Sequence, residues 1–418
     1  MSKFLIKGPN KLKGEITVKG AKNSALKIIP ASILSSDEIK ITNLPKIEDV
    51  DKAMELLSDL GANIDKKESQ AKISTDTIKK TDINPKLANK FRASIMFVGP
   101  LLARFKEVSF PHPGGCVIGA GGRPIDLFIE GFKAFGAQIE QSDGLYRLKT
   151  EGLKACRHFF PLISVTATET FMMTAVLAEG TTILENCAME PEIKALADYL
   201  NSCGAQIEEA GTPNITIKGV KRITAKDFRV IPDRIETGSF AILAAMTKSE
   251  LKITDCEPEH VKALLVAFDK IGIKFETGKD YIKIFKNKKL IANSIKTHEY
   301  PGFPTDLQSP YTVLMTQAEG ISIIHETIYD RRLLFVDMLS QMGANIVMCD
   351  PHRVVINGPS KLYGKKLTSP DLRAGIAMII AALSAEGTTE IDNIYQIDRG
   401  YENIDERLAT IGANIKRI

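Results

Sequence analysis

The run L-G-A-N-I at 60–64 recurs along the chain with small changes: F-G-A-Q-I at 135–139, C-G-A-Q-I at 203–207, I-G-I-K-F at 271–275, M-G-A-N-I at 342–346 and I-G-A-N-I at 411–415. Its glycines stand at 61, 136, 204, 272, 343 and 412, so successive gaps are 75, 68, 68, 71 and 69 residues. Self-similarity at a fixed period marks a repeat architecture. Each glycine suits the left-handed C-cap of a helix, and the β-branched residue that follows begins a strand.

Two further elements accompany every copy. One is a turn followed by an alternating strand, as in S-S-D-E-I-K-I-T-N, A-E-G-T-T-I-L-E-N and A-E-G-I-S-I-I-H-E. Upstream of it lies an apolar, Ala-rich helix, predicted over 22–34, 89–103, 164–178, 233–246, 305–317 and 370–383. These helices are apolar almost all round, which predicts burial on every side. Alternating helices and strands indicate an α/β architecture. Units of about 70 residues are too long for a solenoid and suit three compact repeats per domain.

Bulk properties narrow the function. At 418 residues the chain exceeds one hydrophobic core, so two or three domains are expected. A net charge of +4 argues against a nucleic-acid binder that relies on a dense basic surface, and leaves room for a local cationic pocket. No apolar run approaches the roughly 18 residues of a membrane span, and the start M-S-K-F-L-I-K-G is too short and polar for a signal peptide. A cytoplasmic protein is expected. The six cysteines form no C-x-x-C pair and no zinc-type spacing with the six histidines, so no metal site is expected and five of the thiols read as structural.

The sixth, Cys116, lies in H-P-G-G-C-V-I-G-A-G-G-R-P-I-D-L-F at 112–128. Five glycines in nine residues cannot pack as a core element and predict a loop that closes over something. A dinucleotide fingerprint fails here, because Pro124 occupies its third glycine position. An exposed thiol seven residues before Arg123 is chemically conspicuous, since a nearby cation alters thiol reactivity. Charged and polar groups also gather at the starts of the buried helices: Lys22 and Asn23, Arg92, Ser164, Asp233, Asp306, and Asp371 with Arg373. Capping accounts for each of Ser164, Asp233, Asp306 and Asp371. It does not account for Lys22, Arg92 or Arg373, because a cation at a helix start opposes the dipole.

The run G-G-C-V-I-G…R-P-I-D-L resembles the active-site loop of the UDP-N-acetylglucosamine enolpyruvyl transferases, in the EPSP synthase-like superfamily, and the similarity extends over nearly the whole chain. The resemblance implies a two-domain inside-out α/β barrel of six repeats, with residues 22–229 in one domain, 1–21 and 230–418 in the other, and the active site in the cleft between them. It implies a monomer that uses phosphoenolpyruvate and UDP-N-acetylglucosamine with no cofactor, transferring the enolpyruvyl group to the sugar 3-hydroxyl at the first step of peptidoglycan synthesis. Lys22, Arg123, Arg332, Arg373 and Arg399 are similar to the family's cationic set for phosphoenolpyruvate. Asn23, Arg92, Pro124, Ile125, Asp126, Leu127, Ser164, Val165, Asp306 and Ile328 resemble the sugar-nucleotide contacts, with Asp371 among the substrate-binding positions. Asp306 corresponds to the family's base and Cys116 to its acid, the target of fosfomycin; Lys22 and Arg399 complete the implied catalytic set.

The chain departs from the family at the Gly121-Gly122 insertion and at Glu48, Leu162, Thr166 and Phe128, all but the insertion on the sugar-nucleotide side. The shikimate-3-phosphate enolpyruvyl transferases share the six-repeat fold, but their Gly-Asn-Ala-Gly-Thr motif is missing here. A non-catalytic sugar-nucleotide regulator on the same scaffold would have lost Cys116, Asp306 or the arginines, and all are present.

Overall fold

The structure is a computed structural model that describes residues 2–112 and 125–418. The glycine-rich loop with Cys116, Gly121, Gly122, Arg123 and Pro124 therefore lies outside the described residues. The chain divides into two compact units: one joins the N-terminal 19 residues to Pro232–Ile418, and the other holds the residues described between Gly20 and Ile231.

Every repeat glycine adopts the conformation its position demands, with φ of +110° at Gly61, +83° at Gly136, +102° at Gly204, +84° at Gly272, +106° at Gly343 and +98° at Gly412. A side chain at such a φ would clash with the following carbonyl, so these are the points where a helix can stop and a strand start without strain.

The apolar helices are interior. All thirteen residues of Arg234–Met246 are buried, and this helix packs with Thr305–Met315 and Leu372–Ser384. Val98–Phe105 likewise packs on Val165–Ala175 in the other unit. Outside them lie six sheets among the described residues, five of four strands and one of three. Leu251 and Ile253 of strand Glu250–Thr254 turn fully inward while Glu250 is exposed, the alternation of a sheet with one wet face. Each unit is thus helix inside and sheet outside, which explains why those helices lack a polar stripe.

Chain ends close the sheets. Phe4–Gly8 pairs antiparallel with both Gly387–Asp392 and Ile415–Arg417, and Lys13–Thr17 runs parallel to Glu250–Thr254. Phe228–Arg229 returns to lie parallel to Ile39–Thr42. The first residues of the chain therefore belong to the repeats formed by its last half.

The helix predicted from residue 89 differs in detail. Phe91 is extended, Arg92–Phe97 is a 3-10 helix and the α-helix proper is Val98–Phe105. Arg92 thus heads a 3-10 turn rather than an α-helix. At the opposite ends of the interior helices, cations meet terminal carbonyls: Arg104 Nη1 donates to Ile33 O at 2.9 Å and Ser35 O at 3.1 Å. Lys11 Nζ donates to Thr247 O at 2.9 Å in the other unit. Both complement the negative end of a helix dipole.

Candidate functional site

In the unit that contains Pro232–Ile418, the starts of the interior helices carry acidic side chains with different duties. Asp233 Oδ1 accepts from Ile235 N at 2.8 Å and Glu236 N at 3.0 Å. Asp371 Oδ1 accepts from Arg373 N at 2.8 Å and Ala374 N at 3.0 Å. Both are N-caps, the role that helix-start chemistry predicts.

Asp306 is not a cap, and the capping expectation is corrected there. Pro304 holds the N-cap position and Asp306 lies in the first turn, with its carboxylate turned to two guanidinium groups. Arg332 Nη2 donates to Oδ1 at 2.8 Å and Arg373 Nη2 to Oδ2 at 2.7 Å. The arginine side chains are 4% and 8% exposed, whereas that of Asp306 retains 25%. The ion triad is therefore enclosed from the arginine side and open at the carboxylate. Burial alone would raise the Asp306 carboxyl, but the Arg373 and Arg332 charges outweigh it and hold the group well below the usual carboxylate range. Arg373, the cation that capping could not explain, thus has a carboxylate partner.

Nearby in sequence, Ile328 N donates to Glu326 Oε1 at 2.8 Å in the segment that leads to Arg332. Arg399 follows the short helix Tyr395–Asp398, and its Nη1 donates to Gln396 Oε1 at 3.1 Å. Arg332 and Arg373 are both brought into direct contact with Asp306.

The other unit presents a parallel arrangement. Lys22 opens the helix Lys22–Ala31, which has no side-chain cap, and its Nζ lies 2.7 Å from Asp49 Oδ2 with both side chains nearly buried. Asn23 beside it is half-buried. Ser164 Oγ accepts from Ala167 N at 3.3 Å, so Ser164 caps the helix that begins at Val165. Asp126 is the exposed first residue of helix Asp126–Ala134. Ile125 and Leu127, by contrast, are core residues at 6% exposure each, so their side chains serve packing. Cys116, Arg123 and Pro124 lie outside the described residues.

The departures at 128 and 162 acquire physical descriptions. Phe128 is buried, its ring 6.2 Å from that of Phe171, in a cluster that includes Phe132 and Phe135. Leu162 is 48% exposed, an apolar group on the surface.

Sequence reasoning missed Asp49 as the partner of Lys22. The run Glu48-Asp49-x-Asp51 reads as acids in the first turn of a helix, and only the fold turns one of them onto a lysine 27 positions earlier. It missed a second buried pair as well. Lys27 Nζ lies 2.5 Å from Glu169 Oε2, at 6% and 0% residue exposure. Burial pushes the Glu169 carboxyl up to about 7 against the pull of Lys27. Among the described residues no cluster of three histidine, cysteine or acidic groups could hold a metal ion, and no helix is long and apolar enough to cross a membrane.

The arrangement is suited to anions: guanidinium groups with bidentate geometry and a carboxylate that can exchange partners. Comparison with known proteins agrees in kind. The profile described as EPSP synthase (3-phosphoshikimate 1-carboxyvinyltransferase) matches residues 6–408. The chain is 44% identical over 418 residues to the UDP-N-acetylglucosamine 1-carboxyvinyltransferase of Halothermothrix orenii, covering 100% of both chains. It is 42% identical to the protein of that name from Escherichia fergusonii, covering 100% of this chain and 99% of the other. Among solved structures, the enolpyruvyl transferase NikO of Streptomyces tendae superposes with a TM-score of 0.90 at 21% identity, over 100% of this chain and 98% of that one. EPSP synthase of Acinetobacter baumannii gives 0.78 at 17%, over 100% of each.

Proposed function

The chain belongs to the EPSP synthase family, and from that premise we propose that it transfers the enolpyruvyl group of phosphoenolpyruvate to the 3-hydroxyl of UDP-N-acetylglucosamine, releasing phosphate. The observation that carries the reading is the Asp306 carboxylate held between Arg332 and Arg373, in a chain 40–44% identical over its full length to relatives bearing that activity's name. The reaction opens peptidoglycan synthesis and runs in the cytoplasm, with the protein acting as a monomer.

In the addition step the sugar oxygen bonds to C2 of phosphoenolpyruvate, its proton passes to a base, and C3 receives a proton from an acid. In the elimination step a proton leaves C3, the double bond returns and the C2–O bond to phosphate breaks. Asp306 is the base and Cys116 the acid, a thiol whose unperturbed pKa near 8.5 keeps it protonated at neutral pH. Lys22, Arg123, Arg332, Arg373 and Arg399 hold the substrate carboxylate and phosphate and stabilise the negative charge on the departing phosphate. Asn23, Arg92, Pro124, Ile125, Asp126, Leu127, Ser164, Val165 and Ile328 form the sugar-nucleotide side, Ile125 and Leu127 through their main chain. Asp371 orients Arg373 by capping its amide.

Without substrate, Asp306 is a weak base because two cations stabilise its charge. An arriving trianionic substrate replaces it as their counter-ion, and basicity rises towards the ordinary carboxylate value as those contacts loosen. Asp306 is thus strengthened when its proton acceptor role begins.

The test is phosphate release with phosphoenolpyruvate and UDP-N-acetylglucosamine together. Release with both supports the reading. Release only with shikimate 3-phosphate, or binding of the sugar nucleotide with no release, would overturn it.

A further inference from the structure

Asp306 and Arg332 reach each other from different segments, and one buried carboxylate bonds to the residue before Asp306 and to the stretch that leads to Arg332. Glu326 is fully buried. Its Oε2 accepts from Thr305 Oγ1 at 2.8 Å, and Thr305 is the residue immediately before Asp306. Its Oε1 accepts from Ile328 N at 2.8 Å and Tyr329 N at 3.1 Å. The Tyr329 ring in turn lies under the Arg332 guanidinium, 5.3 Å from centroid to Cζ. A closed circuit results: Glu326 to Thr305 and so to Asp306, and Glu326 to Tyr329, then Arg332, which returns to Asp306 at 2.8 Å.

The main chain around Glu326 is anchored from outside the circuit. Its N–H donates to His352 O at 2.8 Å, and His352 Nδ1 stands 3.0 Å from Glu326 O. Thr327 N donates to Thr297 Oγ1 at 2.8 Å and Thr327 Oγ1 to Thr297 O at 2.6 Å. The next link is strained. Arg331, a residue with a side chain, adopts φ +61°, a left-handed conformation that costs on the order of 1 kcal/mol and persists where its surroundings impose it. That turn brings Arg332 back towards Asp306.

A buried carboxylate needs a reason, since an ionised group is costly away from water unless hydrogen-bonded. Here it satisfies two backbone donors and one hydroxyl, all within or adjoining the segments that carry the triad. We propose that Glu326 is a positioning residue for the reaction: it sets the distance between Asp306 and Arg332 without touching substrate. The inference rests on the proposed role of Asp306, and it adds a residue that neither motif nor helix-start chemistry marks.

The test uses full-length protein with Glu326→Ala, Glu326→Gln, Thr305→Val and Thr305→Ser, following phosphate release and amide hydrogen exchange across 326–332. Misplacing a catalytic group by about 1 Å costs about 10²-fold in rate, so Glu326→Ala is expected to lose about that factor in kcat. The amide oxygen of Glu326→Gln can still accept from Ile328 and Tyr329, so this variant should recover most of the loss. Thr305→Val should lose part of the rate and Thr305→Ser regain it.

A folded Glu326→Ala protein within threefold of wild type overturns the proposal. So does equal damage from Ala and Gln, or a Thr305 pair with no difference in kcat. Should Glu326→Ala fail to fold, the Thr305 pair decides, because it cuts one arm only. Should the wild type release no phosphate, the functional reading fails, and exchange decides the inference separately. Protection at Ile328 and Tyr329 that is lost in Ala and kept in Gln supports it, and unchanged protection in Ala sinks it.

Discussion

Arg373 Nη2 lies 2.7 Å from Oδ2 of Asp306, although the two residues are 67 positions apart and start different helices. With Arg332 on the other oxygen, the contact turns a side chain that sequence rules assign to capping into the centre of an ion triad. Replacing Asp306 by Asn keeps the shape and removes the charge. Turnover should fall by 10³-fold or more while UDP-N-acetylglucosamine still binds, measured by steady-state kinetics beside calorimetric titration. A variant within tenfold of wild type removes Asp306 from the mechanism.

The same triad makes a stability prediction with a definite sign. The folded-state Asp306 carboxyl is depressed, so its stabilisation is present above the unfolded value of about 3.9 and is lost only as pH falls through the lower folded value. The difference in unfolding free energy between wild type and Asp306→Asn should therefore stay constant from pH 5 to 8. Its size should be on the order of 3 kcal/mol, since the variant leaves two buried guanidinium groups without their counter-ion. Urea titrations at several pH values measure it, and a difference that varies across that range contradicts the assignment.

Arg373→Lys is not conservative at this position. A lysine supplies a point charge but no fork, and cannot hold the Asp306 oxygen in the guanidinium geometry. Phosphoenolpyruvate-dependent turnover should fall by about 10²-fold, the scale of losing one oriented donor. Thermal stability should change much less than in Arg373→Ala, and calorimetry on the two variants separates these effects.

The Lys27–Glu169 pair lies five residues beyond Lys22 and five beyond Ser164, in two helices whose starts carry candidate substrate contacts. Glu169 titrates near 7 in the fold and near 4.3 when unfolded, so the folded state binds the extra proton between those values. Stability from this group should fall as pH rises from about 4.3 to about 7, and Glu169→Gln should flatten that slope in chemical denaturation. Lys27→Met alone should destabilise by about 3 kcal/mol, whereas the double change to Met and Leu should be close to neutral. A double variant as unstable as the single one counts against a pair whose desolvation offsets its attraction.

Among the thiols, burial pushes Cys187 and Cys256 up to about 12 and Cys156 up to about 11, and Cys203 is also buried. Cys349 is exposed, so it is the control for any claim about Cys116. A small anionic epoxide such as fosfomycin should modify Cys116 selectively, and faster with UDP-N-acetylglucosamine present, in both wild type and Cys349→Ser. Deleting Gly121 and Gly122 should leave turnover largely intact and strengthen that nucleotide effect, because ordering each residue costs about 1–2 kcal/mol. Mass spectrometry reads both results; modification at Cys349 instead, or a deletion that loses several hundredfold in rate, overturns them.

The sequence by itself determined the repeat. Glycine at 61, 136, 204, 272, 343 and 412 is a local requirement of backbone sterics, and an interior helix such as Arg234–Met246 announces itself by lacking a polar face. Caps at Ser164, Asp233 and Asp371 were legible for the same reason, since a cap spans two or three residues. What Asp306 does with its charge was decided by tertiary structure. Its partners are 26 and 67 positions away, and no periodicity encodes which guanidinium a carboxylate will meet. Lys22 with Asp49, Lys27 with Glu169, and Glu326 with Thr305 and Tyr329 follow the same rule. Hydrophobic pattern and turn chemistry act over a few residues and select the elements; the partners of buried charges are selected by how those elements pack, because only there does the loss of water make pairing necessary.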